Sequence, residues 1–139
     1  MQIEELKINP TTIIYFMDLR SLDCIGRAGE KKGLMLLLKR YFNEDVQLNY
    51  DINGKPFINN NKTHISVSHS RHLLALIVSN QNVAIDLELV SDKVQRVKTK
   101  FLNDQELIET INDDNVILTT YWCAKETLFK YLGLKGKSL

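Results

Sequence analysis

The sequence predicts an α+β protein of two halves built on a similar plan, strands first and a helix after. Three observations predict it. Runs rich in β-branched and aromatic residues fall at 11–19, 65–68 and 73–79, as strands require. Apolar residues recur at helical spacing over 27–42 and again over 120–132. Between the halves, the polar run Asn80 to Asn82 interrupts the chain before a strictly alternating segment begins at Val83. These divide the chain into residues 1–80 and 81–139.

The elements follow in order. In the first run Ile13, Tyr15 and Met17 share one side and Ile14 and Phe16 the other, so both faces are apolar and the strand is buried. Over 27–42, Leu34, Leu37, Leu38 and Tyr41 form one stripe, while Arg27, Lys31, Lys32, Lys39 and Arg40 take the remaining surface. Val46 to Tyr50 and Pro56 to Ile58 flank a turn centred on Asn53-Gly54, a hairpin signature. Strands at 65–68 and 73–79 complete the first half. In the second, Val83, Ile85, Leu87 and Leu89 alternate with Ala84, Asp86, Glu88 and Val90, which predicts a strand with both carboxylates on one face. Two helices follow. One starts at Asn103 as N-cap with Glu106 at the third helical position, and the other runs from about Thr120 to Leu132 and stops at Gly133.

Composition narrows the function. Lys and Arg total 18 against 17 Asp and Glu, so no bulk field draws the protein to nucleic acid or to a membrane. Neither partner is expected. The two cysteines, Cys24 and Cys123, belong to no CxxC pair or zinc-like cluster, which leaves no disulfide scaffold and no structural zinc. The first ten residues lack the apolar core of a secretion signal, and no apolar run approaches the ~20 residues that span a bilayer, so a cytoplasmic protein is expected.

Four groups of residues could carry chemistry. Asp86 and Glu88 offer two hard oxygen ligands a few ångströms apart, suited to Mg²⁺; a solvent-facing strand surface gives the same pattern. Trp122, Lys125, Glu126 and Phe129 share one helical face, mixing aromatics with both charges; a half-buried stripe with snorkelling charges reads alike. The run Ile65-Ser66-Val67-Ser68-His69-Ser70 surrounds a histidine with hydroxyls. No G-x-S-x-G elbow accompanies it, so His69 is either a phosphate contact or a backbone-bonded strand-end residue. Glu106 is accounted for by the capping box with Asn103. There is no P-loop and no GxGxxG.

Taken in order, Gly54-Lys55-Pro56, the Ser68-His69-Ser70 strand end, Ala84-Ile85-Asp86-Leu87-Glu88, Phe101 through Glu106, and Trp122-Cys123-Ala124-Lys125-Glu126 with Lys130 and Gly133 resemble the surfactin-type 4′-phosphopantetheinyl transferase superfamily. The resemblance spans about residues 26–136. It implies the fold of that group, two related α/β lobes with the metal and coenzyme A site at their seam. It also implies an activity, transfer of the phosphopantetheine arm of coenzyme A to a serine of an apo acyl or peptidyl carrier protein, with release of 3′,5′-adenosine bisphosphate. By the same resemblance Asp86, Glu88 and Glu126 hold Mg²⁺. Lys125, His69, Lys55 and Lys130 meet the coenzyme A phosphates, with Lys125 acting also in the transfer itself. Glu106 takes the proton of the carrier serine, a role in competition with its cap. Arg27, Lys31 or Lys32 would meet the 3′-phosphate.

The chain departs from the family pattern at Ala84, where glycine is usual, in a short region before Gly54, and in ending soon after Gly133-Leu134-Lys135-Gly136. The second lobe is therefore expected to be C-terminally short, and a homo-oligomer to complete the sheet. Basic residues of the first helix and of the 135–137 end are candidate docking surfaces for an acidic carrier. The rival is a family member that binds coenzyme A or a carrier without turnover. A hydrolase using Asp86 and Glu88 would leave Lys125 and His69 without a role.

Overall fold

The computed structural model describes residues 2–60 and 62–134. The chain divides into two compact units, Met1–Ile85 and Asp86–Leu139. Architecture in the first is mixed α and β, and in the second the described residues form helices and irregular chain.

The first unit holds six strands and one long helix: β1 (Ile3–Asn9), β2 (Thr12–Asp18), α1 (Gly26–Phe42), β3 (Leu48–Tyr50), β4 (Pro56–Ile58), β5 (His64–Ser70) and β6 (Leu73–Ser79). The main sheet is antiparallel with order β1-β2-β6-β5, and β3 and β4 form a separate hairpin. Register places Tyr15 opposite Leu76, Met17 opposite Leu74, and Ile65 opposite Val78. With period-two alternation, these side chains share one face. α1 packs on that face through Leu34, Leu37 and Leu38, giving a core in which Leu37, Leu38, Leu76 and Val78 are fully enclosed. Each such burial contributes roughly 1.5 to 3 kcal/mol. The opposite face carries Ser66, Ser68, Ala75, Ile77 and Ser79, also buried. There Thr12 and Ser79 share a hydroxyl hydrogen bond of 2.8 Å, so two buried polar groups satisfy each other.

One glycine makes the helix–sheet packing close. A Cβ on Gly33 would stand 2.6 Å from Leu19 Cδ2 and 3.0 Å from Leu74 Cδ2, so only a residue without a side chain fits. Tyr41, expected in the core stripe, sits at the rim. It is 40% exposed, with its ring edge-to-face on Tyr15 and Phe42.

The second unit contains α2 (Lys93–Val97), α3 (Asp104–Glu109) and α4 (Asn115–Leu132). Asp114 caps α4 by accepting from the Ile117 N–H, so the helix begins five residues before the apolar spacing suggests. It ends at Gly133 in the left-handed conformation, as the sequence predicts. A small core gathers Val94, Phe101, Leu102 and Leu118.

The alternating segment 83–90 is not a strand. Its residues join no sheet ladder among the described residues. Backbone groups here are met by side chains instead: Ile85 N–H donates to Ser66 Oγ at 3.1 Å, and the Asp86 carbonyl accepts from the Cys123 thiol at 3.1 Å. Alternation alone does not make a strand where no neighbouring strand supplies the ladder.

Candidate active site

α4 brings two adjacent stripes to bear on the rest of the second unit. Cys123, Glu126 and Lys130 lie at i, i+3 and i+7, and Trp122, Lys125 and Phe129 repeat that spacing one residue earlier. The sequence suggests a single mixed face. The structure separates it into a stripe serving Asp86 and a stripe serving Glu106.

On the first stripe, Lys130 Nζ donates to Asp86 Oδ1 at 3.2 Å. The Asp86 side chain is only 7% exposed. Its other oxygen, Oδ2, is buried and has no hydrogen-bond donor among the described residues while the neighbouring acids are ionised. Glu88 and Glu126 stand close by. Lost hydration, then a hydrogen bond shared with Asp86, then the Asp86 and Glu126 charges push the Glu88 carboxyl up to about 7. Trp122 opposes this by donating its indole N–H to Glu88. Although Glu88 as a residue lies at the surface, its carboxyl end is crowded. Burial and the Asp86 charge raise Glu126 as well, with Lys130 opposing. Burial beside Asp86 pushes the Cys123 thiol up to about 12, so it serves as a hydrogen-bond donor and not as a nucleophile.

On the second stripe, Lys125 Nζ donates to the Phe101 carbonyl at 2.6 Å and to Glu106 Oε2 at 2.7 Å. Glu106 Oε2 also accepts from the Asn103 N–H at 2.8 Å, while Asn103 Oδ1 accepts from the Glu106 N–H, closing the capping box. The Lys125 bond, then the Asn103 bond, hold the Glu106 carboxyl below its ordinary value. Phe101 packs edge-to-face on Trp122 with centroids 5.0 Å apart, which fixes the carbonyl that Lys125 meets.

The acids fit a hard divalent cation in part. Three oxygen donors crowd one another, and a buried carboxylate oxygen lacks a donor, as expected where a cation would complete the set. Among the described residues no group of three or more His, Cys, Asp or Glu side chains is drawn together tightly enough to hold a metal.

The remaining predicted contacts belong to the first unit. His69 lies on the α1 side of the sheet, its Nδ1 3.4 Å from Glu30 Oε1. Lys55 closes the β3–β4 hairpin through backbone bonds with Asp51 and lines an open cavity of about 450 Å³ with Phe57, Thr63 and His64. Arg27, Lys31 and Lys32 are exposed on α1. The basic end at 135–137 lies outside the described residues.

Sequence reading missed the Cys123 thiol, the Glu88–Trp122 bond, and the pairing of Lys125 with Glu106 and of Lys130 with Asp86. The i, i+3, i+7 spacing of Cys123, Glu126 and Lys130 was the available signal.

Residues 82–139 match the family model of the 4′-phosphopantetheinyl transferase superfamily. The class of protein resembled is thereby shown over the stretch that holds Asp86, Glu88, Glu106, Lys125, Glu126 and Lys130. The chain is also similar to a particular relative, the 4′-phosphopantetheinyl transferase gsp of Aneurinibacillus migulanus, with 27% identity over 109 residues. That alignment covers 70% of this chain and 46% of the relative, so the chain spans about half the length of the curated protein it matches. No helix among the described residues is long and apolar enough to cross a membrane.

Proposed function

We propose that this protein is a 4′-phosphopantetheinyl transferase. It moves the phosphopantetheine arm of coenzyme A to a serine hydroxyl of an apo carrier protein and releases 3′,5′-adenosine bisphosphate. One observation carries the reading: the crowding of Glu88 and Glu126 on the buried Asp86, flanked by two lysines, inside the segment that matches the superfamily. In this reading the serine oxygen forms a bond to the pantetheine-bearing phosphorus, and the bond to the adenosine-side phosphate oxygen breaks. Asp86, Glu88 and Glu126 would hold Mg²⁺, which when bound supplies positive charge to the pyrophosphate oxygens.

The chain's own residues divide the other tasks. Lys125 is held by the Phe101 carbonyl and Glu106, which fixes an ammonium group where phosphate charge must be met. Glu106 is kept ionised by Lys125 and the Asn103 N–H, the state a proton acceptor for the serine requires. The same two bonds lower its basicity, so water shares that role. Lys130, His69 and Lys55 bind coenzyme A phosphates.

The test is mass spectrometry of an apo acyl carrier protein incubated with the chain, coenzyme A and Mg²⁺. A metal-dependent gain of the phosphopantetheine mass is expected, and it is lost in Asp86→Ala and Glu126→Ala. Retained transfer in either variant refutes the metal assignment. No gain from the unaltered chain refutes turnover, and stabilisation by coenzyme A alone would then identify a binder.

A further inference from the structure

A buried carboxylate with only one of its oxygens satisfied is costly, and Asp86 is such a group. What offsets its charge is Lys130, reaching Oδ1 at 3.2 Å from the far end of α4. Lys130 is the less enclosed partner. Its side chain is 34% exposed against 7% for Asp86, and its four-carbon stem can swing to solvent while the carboxylate cannot. Lys130 also shares its α4 stripe with Glu126, one turn away, so the ammonium stands among all three acids that would ligate a cation. An ammonium and a divalent ion on the same carboxylate, a few ångströms apart, repel strongly in a partly dehydrated site. The two compete.

We propose that Lys130 is the resident counter-ion of Asp86, holding the carboxylate until a divalent cation displaces it, so that metal binding itself frees this lysine to meet phosphate. The inference rests on the reading of Asp86, Glu88 and Glu126 as metal ligands and adds an order to it, cation first and coenzyme A phosphate second. Lys130 then acts as a positioning residue toward the acids before it contacts any ligand.

The probe is Mn²⁺, followed by the loss of its free-ion electron paramagnetic resonance signal on titration with the metal-stripped full chain. Lys130→Met should bind Mn²⁺ about tenfold to a hundredfold more tightly than the unaltered chain, the range that one charge-assisted hydrogen bond represents. Lys130→Arg, which restores the cation, should bind like the unaltered chain. In chelator, Lys130→Met should unfold at lower temperature, and Mn²⁺ should restore it. Lys130→Gln keeps a donor for Oδ1 without the charge and guards against a Met variant that does not fold; it too should bind Mn²⁺ more tightly. Equal or weaker Mn²⁺ binding by the neutral variants, with the unaltered chain still binding, overturns the counter-ion role and leaves the metal reading standing. Absence of Mn²⁺ binding by every form overturns both.

Discussion

Glu88→Gln should stabilise the metal-free protein at pH 8 and leave it unchanged at pH 4. The carboxyl of Glu88 is raised from 4.5 to about 7 by lost hydration and the Asp86 and Glu126 charges. An acid raised on folding binds its proton more tightly in the native state, so native stability falls as pH rises from 4.5 and levels off above 7. The full displacement corresponds to a ceiling of about 3 kcal/mol. Because Glu88 lies at the surface, solvent screening reduces this to about 1 kcal/mol. Glutamine removes the charge and retains a donor for Asp86. Urea unfolding in chelator at the two pH values is the assay, read as the difference between variant and unaltered chain. A difference of about 1 kcal/mol at pH 8 that vanishes at pH 4 is expected. The same difference at both pH values, or a loss of stability at pH 8, would refute the crowding argument.

Three other outcomes are expected. Leu38→Ala removes a fully enclosed side chain and should cost about 2 to 5 kcal/mol by urea unfolding. Gly33→Ala gains about 1 kcal/mol of helix propensity, yet its Cβ meets Leu19 and Leu74, so calorimetry should show a net loss of about 1 kcal/mol or more. Asn103→Ala removes the α3 cap and should cost about 1 kcal/mol; it also frees Glu106 to move with Lys125, so a thermal melt is best paired with transfer kinetics.

Much of the first unit is legible in the sequence because its signals are local. β2, β5 and β6 are apolar runs, the hairpin carries its Asn-Gly turn, and α1 displays Leu34, Leu37 and Leu38 at helical spacing. β1 escaped notice because its residues are Glu4, Glu5 and Lys7 in alternation with apolar ones, an exposed edge strand whose charges hide the pattern. Segment 83–90 was misread for the opposite reason, since its perfect alternation has no neighbouring strand to join. The site was legible as a set of residue types, Asp86, Glu88, Glu126 and the lysines. Which lysine meets which acid was not. Lys125 lies 19 residues from Glu106 and Lys130 lies 44 from Asp86, and such partnerships are set by how α4 docks and not by local spacing.

The central pairing of the main sheet has a kinetic consequence. β2 is formed early in the chain, but its partner β6 comes late: Thr12 and Ser79, joined by their hydroxyls, are 67 residues apart. β1–β2 and β5–β6 are hairpins that can close locally, whereas joining them requires the whole intervening chain. On a ribosome making roughly 5 to 20 residues per second, the Ile13, Tyr15 and Met17 face of β2 therefore waits roughly 3 to 13 seconds for its neighbour. During that interval α1, already synthesised, is the element available to cover it, so the tight Gly33 seat is also a shelter for a nascent chain.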